Sequence, residues 1–452
     1  IRRNATEASA SVVVCRPKGL AMSAADEPRF RHLVLPSGLT LVGEEVDSVR
    51  SLAVGVWVKV GARHEAAGES GLSHFLEHML FKGTRTRDAF QIAWSLEAVG
   101  GHLDAFTGRE STCYYARALD EHLDLALDVL ADLALRPRLD PSDVVKEKQV
   151  ILEEIHNSED TPDDRIHDLF ADVVWKGHPL GHRILGSKES VSGFATETVA
   201  EYHGRHYVAP NLLVSIAGRF DWDRFVSEAA ARFGDATTGA PTPTPPFASG
   251  GRAVVHHLEE LQQQYLCVGG PGLPHEHADR TVLALLSTVL GGGMSSRLFQ
   301  RIREEEGLAY AVYTYADSYV DSGIFCAAMS LQPAQGRKAL RLTLEEFDRI
   351  AEKGLPPEDL NAAKAQLKGG LLLSLESTSS RMHRVARSQL YAGRIVPVDE
   401  LVAAIERITS DDVKRVAAAL LARDRLSIVA LGGSDARPYG DEDLAPVAAA
   451  EA

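Results

Sequence analysis

Valines at every second position, Val54, Val56, Val58 and Val60, give Ser51–Val60 one wholly apolar face, and that period of two predicts a strand. Just upstream, Leu33-Val34-Leu35 and Leu39–Val42 flank the turn residues Pro36-Ser37-Gly38, so ordered chain is expected from near Phe30. Apolar residues then recur at helical spacing over 71–82, 88–99, 120–134 and 141–157, and Asn211–Gly218 reads as another strand. The Pro-, Thr- and Gly-rich stretch 234–251 (GDATTGAPTPTPPFASGG) reads as a linker. The expected organisation is therefore a domain over 29–233, the linker, and a domain over 252–434. Residues 1–28 lack periodicity and are expected to be a disordered tail or leader. They are Arg-, Ser- and Ala-rich, faintly like an organelle transit peptide, and Met22 is an alternative start. Residues 435–452 are expected to be a loose tail.

The second half repeats features of the first. Leu139-Asp140-Pro141-Ser142-Asp143 and Leu355-Pro356-Pro357-Glu358-Asp359 each open a long helical pattern, and LLVSIAG (212–218) is echoed by LSIVALG (426–432). Two copies of one strand-and-helix unit are expected.

Composition narrows the class. Of 452 residues, 45% are hydrophobic and 25% charged, which suits a globular chain of two or three domains. With 48 Lys and Arg against 63 Asp and Glu, the net charge of −15 argues against nucleic acid or an anionic membrane as partner. No apolar run reaches the ~18–20 residues of a membrane span. Cys15, Cys113, Cys267 and Cys326 are scattered, with no CxxC pair, which points to a reducing, cytoplasmic setting.

Chemistry concentrates in 71–84, GLSHFLEHMLFKGT. His74 and His78 are four apart, so on a helix they lie about 40° from each other and can grip one ion. Glu77 falls about 60° to the other side of His74, within reach of a water on that ion. This HxxEH order inverts the HExxH signature, and two imidazoles plus a carboxylate make an open, catalytic type of zinc site. The plain alternative is a histidine pair on an amphipathic helix. KEKQVILEEI (146–155) offers further carboxylates, with Glu147 and Glu154 seven apart and on one helical face, where a solvated acidic face is the competing reading. At the repeat offset of 216 these match Ala363 and Gly370, and the second half has no HxxEH. One copy carries the constellation and the other has none of it.

Together, GLSHFLEHMLFKGT, GGHLDAFTGRESTCYYA and VILEEI, with Glu154 lying 76 positions after His78, resemble the pitrilysin family of zinc peptidases, within it the short branch that includes the mitochondrial processing peptidase β subunit and bacterial relatives. The resemblance spans roughly 30–434. It implies an α+β protein of two homologous domains, each a largely antiparallel sheet flanked by helices, with the active copy N-terminal and the degenerate copy C-terminal. It also implies Zn2+, one per chain, ligated by His74, His78 and Glu154, with Glu77 as general base and Glu147 as a supporting carboxylate.

In the second half, Arg303 and Tyr310, seven apart, match the family's Arg/Tyr pair that binds substrate and steadies the transition state. On spacing alone they read as a surface ion-pair arginine and a strand aromatic. Because this chain has both the zinc set and the Arg/Tyr pair, the resemblance implies a homodimer whose Arg303 and Tyr310 act across an enclosed chamber, on short unfolded peptides. The glycine-rich loop of the mitochondrial α subunit is absent, Gly291-Gly292-Gly293 being only a short turn. Asp104, Ala105 and Phe106 lie in the segment matching the family's substrate-binding edge strand, although the family often has Asn where Asp104 stands. Asp164 and Asp168 occupy positions where the processing peptidase places carboxylates for a substrate arginine, and a basic peptide is the expected preference. The rival reading is a non-catalytic or partner-dependent subunit. His178, His182, His203, His206, His256 and His257 are expected to pack or hydrogen-bond locally.

Overall fold

The computed structural model describes residues 29–247, 250–433 and 437–445, so the expected leader 1–28 lies outside the described residues. The chain forms two compact units. One gathers residues up to 152, then 184–244 and 374–397; the other gathers 153–183, 245–373 and the chain from 398.

The first unit is built on a six-stranded sheet of β1 (Arg29–Val34), β2 (Thr40–Glu45), β3 (Ser51–Val58), β4 (His102–Thr107), β5 (Thr112–Leu119) and β6 (Leu212–Gly218), in the order β1-β2-β6-β3-β5-β4. Only β2 and β6 pair in parallel. β3 and β6 are buried almost throughout, because both faces of the sheet centre are covered. The face opposite the valines carries Ala53, Gly55 and Trp57, and the helix Thr378–Ala392 lies on it with Met382, Val385 and Ala386. Gly55 gives Met382 room there, since a Cβ would come 2.8 Å from the Met382 sulfur and that side chain would have to shift. Glu44, fully buried on β2, is held by Arg381 and by Arg384, the latter at 3.0 Å.

The helices of this unit that matter for the site are α1 (Leu72–Leu80), α2 (Ala89–Glu97), α3 (Leu123–Leu135) and α4 (Pro141–Glu159). α1 buries Leu72, Phe75, Leu76, Met79 and Leu80, which turns its histidines toward the open side. Its start is sharp: Gly71 takes the left-handed φ of 90°, and the buried Glu65 carboxylate accepts the Gly71 and Ser73 N–H groups, each at 2.8 Å. Such a side-chain acceptor satisfies donors that a helix N-terminus otherwise leaves orphaned.

The second unit repeats the plan. β7 (Val254–His257), β8 (Gln264–Pro271), β9 (Ala309–Ser318), β10 (Gly323–Leu331) and β11 (Ser427–Leu431) lie in the order β7-β11-β8-β10-β9, with β7 and β11 the single parallel pair. Strand for strand, in chain order and in direction, this matches β2 to β6. The protein is therefore α+β, two copies of a largely antiparallel sheet flanked by helices. Helix α5 (Pro162–Val174) packs Ile166, Phe170, Ala171 and Val174 on this second sheet, against Cys267, Ile324, Cys326 and Val429.

The contact division passes between Thr244 and Pro245, inside the Pro/Gly-rich stretch. It also assigns α5 to the second unit and Thr378–Ala392 to the first, an interleaving that the linear division at the linker does not contain. Of the stretch expected to be a loose tail, residues 437–445 are described. Tyr439 is buried and donates to Gln264 Oε1 at 2.8 Å, Arg337 pairs with Asp443 at 3.0 Å, and Leu444 is buried. Three anchors of different chemistry outweigh the entropy that the polar composition of this stretch suggests. Among the described residues no helix is long and apolar enough to cross a membrane.

Candidate metal centre

On α1 the rings of His74 and His78 approach to 4.6 Å between centroids, as i and i+4 spacing dictates. α4 runs beside them, and one ligand atom from each of His74, His78 and Glu154 falls within 4.8 Å of the others. It is the single such cluster among the described residues. The boundary between the units cuts α4 at Leu152, so it is the continuity of the helix that places Glu154 two turns beyond Glu147.

Two imidazole nitrogens and one carboxylate oxygen converging on a point match the donor set of a catalytic zinc site. Burial, helped by the neighbouring His78, pushes the His74 imidazole down to about 4, so it is neutral at physiological pH, as a metal ligand must be. Glu147, 3% exposed, receives the His78 Nδ1–H at 3.1 Å, which makes Nε2 the nitrogen that could face an ion. The second oxygen of Glu147 meets Lys82 Nζ at 2.6 Å. Glu77 accepts a short hydrogen bond from the Thr107 hydroxyl of β4, which ties the proposed base to the edge of the sheet.

Asp104, Ala105 and Phe106 lie on β4, the edge strand, as the segment comparison implied. Phe106 packs edge-on against Trp57, with its centroid 5.5 Å away. Asp164 and Asp168 lie on α5. Asp168 has Arg183 Nε at 3.8 Å, and the same arginine reaches Glu159 at 3.5 Å, so the chain's own cation already sits among these acids. In the second unit, Arg303 lies in a π-helical turn, Phe299–Glu305, and Tyr310 near the start of β9. The structure brings these two together: the guanidinium stands 5.6 Å from the Tyr310 ring centroid and 4.9 Å from that of Phe299, while Tyr310 is 74% exposed.

Four other histidines bond locally. His203 donates to Ala134 O at 2.8 Å and His256 to Gly432 O at 2.7 Å, His206 meets Thr242 Oγ1 at 2.8 Å, and His178 accepts from the Leu180 amide at 3.1 Å. Sequence reading missed Thr107, Lys82 and Glu65. Lys82 follows His78 by four, a helical neighbour that the motif itself could have flagged; the other two contacts come only with folding.

A duplicated α+β scaffold with a two-histidine, one-carboxylate cluster fits the class of zinc proteases. Comparison with known proteins agrees. The Insulinase (Peptidase family M16) model matches residues 42–188, and the Peptidase M16 inactive domain model matches 194–367. An uncharacterized zinc protease of Streptomyces coelicolor is 39% identical over 412 residues, covering 89% of each chain. The Bacillus subtilis zinc protease YmxG is 38% identical over 412 residues, 90% of this chain and 99% of its own. A protease from Helicobacter pylori shares the fold with a TM-score of 0.82 at 21% identity, covering 90% of this chain and 100% of that one. The chain belongs to peptidase family M16, the insulinase or pitrilysin family, with an active-type N-terminal and an inactive C-terminal domain, and its cofactor is Zn2+.

Proposed function

We propose that this peptidase is an endopeptidase acting on short, unfolded peptides, with His74, His78 and Glu154 as the zinc ligands and Glu77 as general base. The observation that carries the reading is the convergence of those three ligand atoms with Glu77 on the same helix. Zinc held by these three residues would supply Lewis acidity toward a carbonyl and a nearby water. Glu77, steadied by Thr107, takes the proton released when water adds to the peptide carbonyl and returns it to the leaving amine. Glu147 fixes the ring of His78, and Lys82 balances its charge.

The open side of β4 accepts the peptide as an added strand through backbone hydrogen bonds, around Asp104, Ala105 and Phe106. A homodimer supplies Arg303 and Tyr310 from the second copy, as donors to the oxyanion in an enclosed chamber. Their mutual contact and the exposure of Tyr310 support a pair prearranged for a ligand. Asp164, and Asp168 when Arg183 yields it, favour an arginine in the substrate. A cytoplasmic setting suits the buried thiols Cys113, Cys267 and Cys326, none of which is in a disulfide.

The test is cleavage of an unstructured, Arg-containing peptide by purified protein, before chelation, after it and after zinc return. Cleavage that is lost, restored, and at least ~100-fold weaker in Glu77→Gln supports the reading. No cleavage by zinc-loaded protein moves the weight to a non-catalytic or partner-dependent subunit.

A further inference from the structure

The bond Gly108 N–H to Ser111 O, 2.8 Å, closes the β4–β5 hairpin and sets its alternation. Given the register, Phe106/Cys113, Asp104/Tyr115 and His102/Arg117 are the hydrogen-bonded pairs. Leu103, Ala105 and Thr107 therefore turn their N–H and C=O groups to the open edge, and these are the groups a peptide strand needs. One of them is not open. The Asp104 carboxylate folds back and accepts the Ala105 N–H through Oδ1 at 2.8 Å. Its other oxygen, Oδ2, accepts from the Tyr115 hydroxyl at 3.0 Å, and His102 Nε2 stands 3.8 Å away. Two hydrogen bonds thus hold one exposed side chain over the central donor of the edge.

We propose that Asp104, held by Tyr115, is a latch on the peptide-accepting edge: it caps the Ala105 N–H in the free enzyme and must turn away before a peptide carbonyl takes that donor. Tyr115 is a positioning residue, acting through Asp104. The latch has two physical consequences. It lowers affinity for every extended peptide by the worth of the bond exchanged, and it shields an exposed strand edge from pairing with other chains. The inference rests on the reading that β4 accepts substrate.

Two measurements test it. Amide hydrogen exchange at Ala105 in the zinc-loaded protein without peptide reads the cap directly: exchange speeds severalfold in Asp104→Ala and, less so, in Tyr115→Phe, while Gly108, bonded within the hairpin, is unmoved. Peptide binding to the Glu77→Gln background, followed by fluorescence anisotropy, tightens roughly two- to tenfold on adding Asp104→Ala, the worth of one net hydrogen bond. KM for cleavage falls in step. Unchanged exchange at Ala105, or weaker peptide binding in Asp104→Ala, overturns the latch. A wild-type protein that neither binds nor cleaves peptide overturns the peptidase reading instead, and the exchange rates alone then decide whether the cap exists.

Discussion

His78 donates its Nδ1–H to Glu147 across 3.1 Å, joining two side chains 69 residues apart in the chain. That bond selects the tautomer that would present Nε2 to the proposed zinc, and it fixes the ring plane. Replacing Glu147 by Gln leaves an amide in place of a charged acceptor. The expected outcome is a 10- to 100-fold loss of zinc affinity with the fold intact, measured by competition with a chromophoric chelator. Unaltered affinity would make Glu147 a partner of Lys82 alone.

The buried Glu65 carboxylate is pushed up to about 7 by desolvation, against the bonds it accepts from Gly71 and Ser73. Its folded value is raised above the unfolded value near 4.5, so the native state holds the proton more tightly. The stabilisation linked to that proton is full below pH 4.5 and is lost as pH rises through 7. The span is worth roughly 3 kcal/mol. Urea unfolding of wild type and Glu65→Gln at pH 5 and pH 8 should show wild type losing ground to the variant at the higher pH. A pH-independent difference would show that Glu65 does not titrate in this range.

The proposed action of Arg303 and Tyr310 across a dimer predicts complementation. Glu77→Gln and Arg303→Ala are each expected to lose most activity, yet mixed dimers pair an intact zinc half with an intact Arg/Tyr pair. Mixing them after reversible dissociation should restore about a quarter of wild-type activity, from the one competent site in the half of dimers that are mixed. If the mixture stays as weak as its parts, the pair serves its own chain's site or no site.

Asp164→Asn with Asp168→Asn should lower kcat/KM for an Arg-containing peptide by about tenfold relative to a neutral one, the cost of a lost charge-assisted bond. Because Arg183 already neighbours Asp168 at 3.8 Å, Asp164→Asn should account for more of that loss than Asp168→Asn. Equal effects on both peptides would remove the basic preference.

Much of this was legible because local periodicity maps onto faces. The four-residue spacing of His74 and His78 puts two rings on one side of any helix, and the alternating valines of 54–60 identify a sheet core without knowledge of its neighbours. The 216-residue repeat disclosed a duplicated scaffold, with Ala363 and Gly370 where the first copy has Glu147 and Glu154. Periodicity is silent about which surfaces meet. Nothing in the 141–157 pattern says that Glu147 reaches His78, or that Thr107 reaches Glu77; those contacts exist because α4 and β4 pack beside α1.

The same limit hid the interleaving of the units. Two homologous sheets present similar apolar faces, so composition does not choose which one receives a given amphipathic helix. Thr378–Ala392 settles on the first sheet because buried Glu44, more than 330 residues earlier, needs Arg381 and Arg384, and Gly55 leaves room for Met382. By itself the sequence determined the chemistry on offer and the faces that carry it. The tertiary structure decided which faces meet, and so which carboxylate orients a histidine and which side chain covers the edge.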